Sequence, residues 1–331
     1  MSNITFLLTL SEEYYPINKG YYTAAIQYEI SMAIVLLPNI YFLYITLSES
    51  VFKKRPSLKK TILTFSILNI TYIITNLIIS SYYLNGYLNN GLIKVNTCYY
   101  IRRIQMLLMT FLVTIPLVFT VHRYFTVFSK NNYQNYICLI VFIISNFPSF
   151  TLFSTLFITS NVVWTPDEIC TFIRNSASTT INNIIGLIYY FTLGVPLIVG
   201  IINLFLIRRL NTLTVTSSAA KCNRSENKTI FVNLLIQTIQ PFIGQWPSIL
   251  FYFYLVSTKN NIYVVWRILD GLTAISLVSN ILFSIIFIKE VRNVVFRRIG
   301  INHVSAVINV VTMTHDNGFK SPSKKTIAIK V

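Results

Sequence analysis

Hydrophobic residues occur along this chain in long blocks, and polar residues are largely confined to the short stretches between them. Seven blocks can be distinguished. At about 1.5 Å of rise per helical residue, each is long enough to cross a hydrocarbon core about 30 Å thick. The pattern therefore predicts an all-α fold, a bundle of seven transmembrane helices. The predicted spans are residues 25–47, 61–84, 98–128, 136–159, 181–207, 229–256 and 262–288.

The segments outside these blocks leave little room for a separate soluble domain. We expect residues 1–24 to form an extracellular N-terminus and residues 25–299 to form the membrane domain. Residues 300–331 are predicted to be a disordered cytoplasmic tail. The N-terminus has no basic region before its first apolar run, so a cleaved signal peptide is not expected.

The segment after the seventh block, IKEVRNVVFRRI, alternates apolar and charged residues with a helical period. Ile288, Val291, Val295 and Ile299 fall on one stripe, and the charged residues fall on the other. Such a segment is typical of an amphipathic helix that lies on a membrane surface.

Composition supports the membrane class: 54% of the residues are hydrophobic and 11% are charged, against about a quarter charged in soluble domains. Most of the 27 Lys and Arg residues fall in the first, second and third inner loops or in the tail when the N-terminus is placed outside. The positive-inside rule then predicts an extracellular N-terminus and a cytoplasmic C-terminus in the plasma membrane. The net charge of +17 suits an anionic leaflet, so no nucleic-acid partner is expected.

The four cysteines are restricted by this topology. Cys138 lies inside the fourth predicted helix and Cys222 in the cytosol. Only Cys98 and Cys170 face an oxidising space, so a Cys98–Cys170 disulfide is predicted to hold the second outer loop over the bundle. Two free outer thiols are the alternative.

The third predicted helix carries Cys98 at its outer end and His122-Arg123-Tyr124 at its inner end. The 25 residues from Cys98 to Arg123 correspond to about 37 Å of helix, which matches the thickness of a membrane. Seven spans with these features resemble the rhodopsin-like G-protein-coupled receptors over residues 25–299. Further resemblance lies in Asn39, Asn69, Pro196, the QWPS segment at Gln245–Ser248, and Asn280.

The chain also departs from that family. A His stands where the family has an acid before the Arg, the fourth helix lacks its Trp, and the seventh lacks the Pro and Tyr that follow Asn280. With Asn at position 69, a bound sodium ion is not expected. These features, with the Ile-, Asn- and Tyr-rich composition, resemble the divergent nematode serpentine chemoreceptors, class V among them. The resemblance implies a chemosensory receptor that binds an external small molecule and activates a heterotrimeric G protein.

By this resemblance, Arg123, with Tyr124 and His122, would form the switch that faces the G protein. Because His122 cannot supply a negative charge, a restraint on Arg123 at rest would come from elsewhere, and Glu226 is a candidate. An interfacial Arg that only follows the charge rule is the alternative. Pro196, Pro241 and Pro247 interrupt helical hydrogen bonds, as static bends or as hinges.

The family binds ligands in the outer half of the bundle, and polar groups inside a membrane are functional candidates. Asp270 would contact a cationic ligand or pair with Arg267, Arg102 or Arg103; the structural pair is favoured. Met and aromatic positions more often pack than bind. The pocket candidates are Gln105, Met109, Tyr190, Gln240, Gln245, Trp246 and Asp270.

The main alternative function is a polytopic transporter of a small solute, although no internal repeat is visible. An intramembrane enzyme is not expected, because the three His residues lie at or beyond the cytoplasmic helix ends and no metal cluster or acid pair lies at membrane depth. No cofactor or metal is predicted. Asn3 begins the one glycosylation sequon on the outer side.

Overall fold

Nine α-helices form nearly all of the part of the chain that the structure describes. The computed structural model describes residues 7–9, 14–17, 19–53, 55–89, 92–129, 133–154, 161–164, 172–173, 179–212, 218–258 and 262–298. In chain order the helices are α1 Tyr22–Ser48, α2 Ser50–Lys53, α3 Pro56–Asn89, α4 Val95–Tyr124, α5 Gln134–Ser154, α6 Thr179–Thr212, α7 Ser218–Thr258, α8 Tyr263–Phe287 and α9 Lys289–Arg298.

Six of the helices in the described segments are long and apolar enough to cross a membrane, as in a multi-pass membrane protein. These are α1, α3, α4, α5, α6 and α8. Their mean burial is low for helices of a globular protein, because large apolar side chains cover their outer faces, where lipid replaces water as the solvent.

Helix α7 has 41 residues, but it does not belong to this apolar set. It packs between α6 and α8 and also contacts α3 and α4. Two prolines, Pro241 and Pro247, and several amides lie within it. The prediction of seven apolar spans is therefore confirmed for six helices, and the crossing by α7 stays a prediction.

Each end of the bundle is identified below by a residue of α4, the Cys98 end and the Arg123 end. Short antiparallel strands lie at the Cys98 end, where chain segments connect the helices. One sheet has the order β1-β4-β5, and the other pairs β2 with β3. Their bounds are β1 Leu7–Thr9, β2 Tyr14–Pro16, β3 Leu92–Lys94, β4 Asn161–Trp164 and β5 Phe172–Ile173.

The largest buried apolar cluster lies at the Arg123 end and joins residues of α1, α2, α3, α6, α7 and α8. Helix α9 packs against this cluster through Val291, Val294 and Val295, all of which are buried. Ile288, Val291 and Val295 of the predicted apolar stripe are thus covered by protein, and its fourth member, Ile299, lies outside the described residues. Its placement on a membrane surface stays a prediction.

Candidate functional site

A cluster of polar side chains joins α1, α3 and α4 near the Cys98 end. The Tyr28 hydroxyl donates to Asn76 Oδ1 at 2.7 Å, and Gln105 Nε2 donates to the same oxygen. Arg102 in turn donates to Gln105 Oε1 at 2.6 Å. These four residues are called the Asn76 cluster below. Asn76 Nδ2 donates to the Tyr72 carbonyl at 2.7 Å, which turns Oδ1 toward the other helices.

Two acids at the same end have partners. Asp270 forms the ion pair with Arg267 that their spacing favours, at 3.0 Å, and the Arg267 guanidinium also lies 5.5 Å from the centre of the Tyr21 ring. Glu29 accepts hydrogen bonds from Ser80 and, at 2.9 Å, from Ser81. Both carboxylates therefore have structural partners within the bundle.

A second polar chain crosses the middle of the bundle. Gln240 Nε2 donates to Asn69 Oδ1 at 3.1 Å, and Asn280 Nδ2 donates to Gln240 Oε1. This Gln240 chain joins α3, α7 and α8. Close by, Asn39 Nδ2 donates to the Leu277 carbonyl at 3.3 Å and so joins α1 to α8. Three amides that the family resemblance singled out are therefore part of interhelical contacts.

Helix α7 carries further buried polar atoms that no atom of the described residues pairs with by a hydrogen bond. Both side-chain polar atoms of Asn233 are of this kind, as are Gln237 Oε1, Gln245 Oε1 and Trp246 Nε1. Asn233 is fully buried. Burying an amide without a partner costs about 1–3 kcal/mol. These positions of α7 are thus costly for the fold and are candidates for binding.

At the Arg123 end, α4 is tied to α6. Asn203 Nδ2 donates to Thr120 Oγ1 at 2.9 Å, and Arg123 is 8% exposed. The Arg209 guanidinium lies 4.9 Å from the centre of the Phe128 ring. Phe128 belongs to a π-helical turn, Phe125–Ser129, that continues α4, and such turns are frequent at functional sites.

The other members of the predicted switch lie around this turn. Tyr124 is 37% exposed, and its ring lies 5.4 Å from that of Phe125 and 5.8 Å from that of Phe128. The His122 carbonyl accepts the Thr126 hydroxyl at 2.8 Å. The side chain of Glu226, which the sequence suggested as a restraint on Arg123, lies outside the described residues.

Glu49 connects the end of α1 to α9. Its carboxylate contacts Arg297 at 2.5 Å and Arg298 at 2.6 Å, and the Glu49 side chain is 7% exposed. The carboxylate raises the pKa of the Arg298 guanidinium above its usual value, through a hydrogen bond and through its charge. This contact fastens α9 to the bundle from the side of α1.

Cys98 is buried and forms a disulfide, whereas Cys138 is a free buried cysteine. The predicted partner of Cys98 is Cys170, which lies outside the described residues, so the pairing of Cys98 with Cys170 stays a prediction. Asn3, the predicted glycosylation site, also lies outside the described residues.

The remaining predicted residues are not all brought together. Met109 packs with an apolar cluster that includes Met32 and Tyr72. Tyr190 is 64% exposed, and its ring stacks on Phe253 with a centroid distance of 5.6 Å. It therefore faces away from the Asn76 cluster. Helices α6 and α7 continue through their internal prolines, Pro196, Pro241 and Pro247.

The pocket candidates drawn from the sequence did not include Asn76 and Tyr28, the centre of the cluster at the Cys98 end. Asn76 follows Asn69 by seven residues, which is close to two helical turns, so both amides lie on one face of α3. This spacing was a usable signal. Tyr28 carried none, because Tyr is also enriched where apolar helices meet the membrane–water interface.

Among the described residues, no group of three or more His, Cys, Asp or Glu side chains is arranged to hold a metal ion. No protein-family model matches the chain, and no curated protein sequence matches it. The geometry of the Asn76 cluster, of the Gln240 chain and of the Arg123 end is therefore the basis for the functional proposal.

Proposed function

We propose that this protein is a G-protein-coupled chemosensory receptor, which binds an external small molecule and activates a heterotrimeric G protein. In this proposal α7 is the sixth of seven spans, the Cys98 end is extracellular and the Arg123 end is cytoplasmic. The protein acts in the plasma membrane, and α9 lies along its inner surface.

The observation that carries the proposal is the arrangement along α4. Cys98 is held by a disulfide at one end, and Gln105 joins the Asn76 cluster two turns further on. Near the other end, Thr120 is bonded to α6 and Arg123 is buried. Helix α4 contacts α3, α5, α6 and α7. A ligand bound beside Gln105 would therefore act on a helix that reaches the opposite face of the bundle.

The Gln240 chain supports a second route for the signal. Gln240 immediately precedes Pro241, which cannot donate a helical hydrogen bond and so weakens the helix at that point. A ligand that favours another position of α7 would shift the balance between two arrangements of the Gln240 chain. In this proposal the cytoplasmic part of α7 moves outward when the ligand binds. This movement would uncover Arg123 for the G protein.

The proposal is tested with Arg123→Ala. Cells that carry a promiscuous G protein are screened with a compound library against the unaltered receptor, and the active compounds are applied to the variant. We expect signalling to fall by at least about tenfold while binding is retained, since Arg123 would act on coupling rather than on the ligand.

Arg208→Ala is the matched control, because Arg208 is an exposed arginine at the end of α6. Surface amounts of all three proteins are measured by an epitope tag. Unchanged signalling from Arg123→Ala at equal surface amounts would contradict the role of Arg123 as a switch.

The buried amides of α7 favour one second candidate, a transporter of a small polar solute. Asn233, Gln237, Gln240 and Gln245 extend over 12 residues of one helix, about 18 Å, and several of their polar atoms have no partner in the described residues. Solute uptake that persists without any G protein would favour this function. Ligand-dependent signalling without uptake would favour the receptor.

A further inference from the structure

We infer that the ligand of the Asn76 cluster is a small carboxylate with an apolar body, held by Arg102. This inference deepens the proposed function, since it names the class of molecule that the receptor would detect. It depends on the charge at the Cys98 end, on the partner of Arg102 and on the residues that lie next to Arg102 along α4.

The described residues at the Cys98 end carry more positive than negative groups. Their acids are Glu29 and Asp270, and both are engaged, with Ser80 and Ser81 and with Arg267 respectively. Their bases are Lys19, Lys94, Arg102, Arg103 and Arg267. Lys19 is exposed and Lys94 is partly exposed, and the sequence also places Glu12, Glu13, Asp167 and Glu168 in segments outside the described residues. Within the helices at this end three arginines therefore stand against two acids, and a guanidinium in surroundings of low dielectric constant favours an anion.

Arg102 is the group best suited to receive that anion. The hydrogen bond that the structure gives it goes to Gln105 Oε1, a neutral oxygen, and none of the described carboxylates forms an ion pair with it. Its charge and that of the Asp270 carboxylate both act on the hydroxyls of Tyr28, which is partly buried, and of Tyr72, which is buried. A guanidinium has five N–H donors and can bind a carboxylate through two parallel hydrogen bonds.

The apolar body of the ligand has a place on the same face of α4. Arg102, Gln105 and Met109 follow one another at intervals of three and four residues, so they form one stripe along the helix. Met109 and Leu108 pack with the apolar cluster around Tyr72. A carboxylate at Arg102 would therefore have its apolar part directed toward Met109, and a methionine adapts readily to different shapes.

Helix α7 reaches the same depth. Gln240 is level with Asn69, to which it is bonded, and Asn76 lies seven residues further along α3. Gln245 lies five residues beyond Gln240 along α7. Asn76 and Gln245 are therefore within about 3 Å of each other along the bundle axis. The buried Gln245 Oε1 has no hydrogen-bond partner in the described residues. A ligand at Arg102 would thus lie at the level of the helix that carries the proposed hinge.

The inference is tested by binding to the full-length protein in lipid nanodiscs, measured as thermal stabilisation. The probes are two matched series that differ in charge: benzoate, benzamide and benzylamine, and hexanoate, hexanamide and hexylamine. We expect stabilisation by the carboxylates, with the amides and amines at the same concentrations ineffective. Arg102→Gln is expected to weaken carboxylate binding by about tenfold or more, because it removes a charge-assisted pair.

Two variants control the measurement. Arg102→Lys keeps the charge but not the two parallel hydrogen bonds and should retain part of the binding. Arg208→Gln makes the same change of charge at the Arg123 end and should bind as the unaltered protein does. The melting temperature of each variant without ligand reports whether it is folded.

Three results would overturn the inference: stabilisation by the amides or amines equal to that by the carboxylates, no stabilisation by any carboxylate, or carboxylate binding that survives Arg102→Gln. The proposed function fails separately. Carboxylates that bind without activating a G protein would contradict the receptor and leave the inference intact, whereas signalling in response to amines alone would do the reverse.

Discussion

Helices α6 and α7 are neighbours, and both are long and contain internal prolines. They differ in the side chains that they expose and bury. The outer face of α6 exposes large apolar side chains, among them Leu197, Ile201 and Phe205. Helix α7 buries Asn233, Gln237 and Gln240. For this reason α6 is apolar enough to be identified as a membrane span and α7 is not, although both helices pack in the same bundle.

Mean hydropathy measures the average side chain of a helix and not the side chains on its outer face. A helix with neighbours on most sides can carry amides on its inner face, provided that its outer face remains apolar. On α7 that outer face includes Leu250 and Tyr254, both exposed. One of the amides that lower its hydropathy, Gln240, is also the residue that bonds α7 to α3 and α8.

This explanation of the difference between α6 and α7 requires that α7 crosses the membrane. We expect Ser257→Cys, an exposed position near the end of α7, to react with a membrane-impermeant thiol reagent on intact cells. Lys228→Cys, exposed near its beginning, should react only after permeabilisation. The unaltered protein sets the background from its own cysteines. Reaction of both variants on the same side would exclude α7 as a span.

A second prediction concerns the amides themselves. Gln240→Met removes the hydrogen bonds of Gln240 to Asn69 and Asn280. The buried Asn69 Oδ1 and Asn280 Nδ2 then lose this partner. The free energy of unfolding should fall by about 2–3 kcal/mol. Asn233→Leu is the control of similar volume, and it should be neutral or stabilising because Asn233 has no partner to lose among the described residues.

Unfolding of both variants would be followed in mixed micelles with increasing SDS. Equal destabilisation of the two proteins would show that the Gln240 chain contributes no more than an unpaired amide does.

The smallest expected effect compares two glycines. A methyl group on Gly244 of α7 would lie 2.8 Å from Ser276 Cβ of α8, so Gly244→Ala should destabilise the protein by about 1–2 kcal/mol. A methyl group on Gly200 of α6 would meet Thr238 Oγ1 at 3.9 Å, an ordinary contact. Gly200→Ala should therefore stabilise by about 0.5–1 kcal/mol through its helical propensity.

The two melting temperatures should move in opposite directions in the same detergent. Stabilisation by Gly244→Ala would mean that α7 and α8 can separate at no cost. It would contradict the close packing of these two helices at Gly244.

The positions of the helices were largely predictable, because an apolar block of membrane length has few alternatives to a helix. Their ends were less so. The sixth block was placed at residues 229–256, whereas α7 begins at Ser218, since a helix satisfies its own backbone hydrogen bonds through polar sequence as well. In the same way, α3 extends to Asn89 beyond the predicted end at residue 84.

The candidate site was predictable in part. Gln105, Gln240 and Gln245 were identified because amides at membrane depth are costly, and all three are buried. The exposure of Tyr190 was not predictable. Adjacent helical residues differ by about 100° in direction, and the contacts of α6 with its neighbours determine which of Tyr189 and Tyr190 faces inward.

The sequence alone determined the class of protein, the number of apolar blocks and the polar residues that must be explained, since these follow from local composition and from the thickness of a bilayer. The tertiary structure decided which of those residues meet. Gln240 and Asn69 are 171 positions apart, and no local pattern relates them. Their pairing depends on the rotation and depth of two helices, which packing across the whole bundle determines.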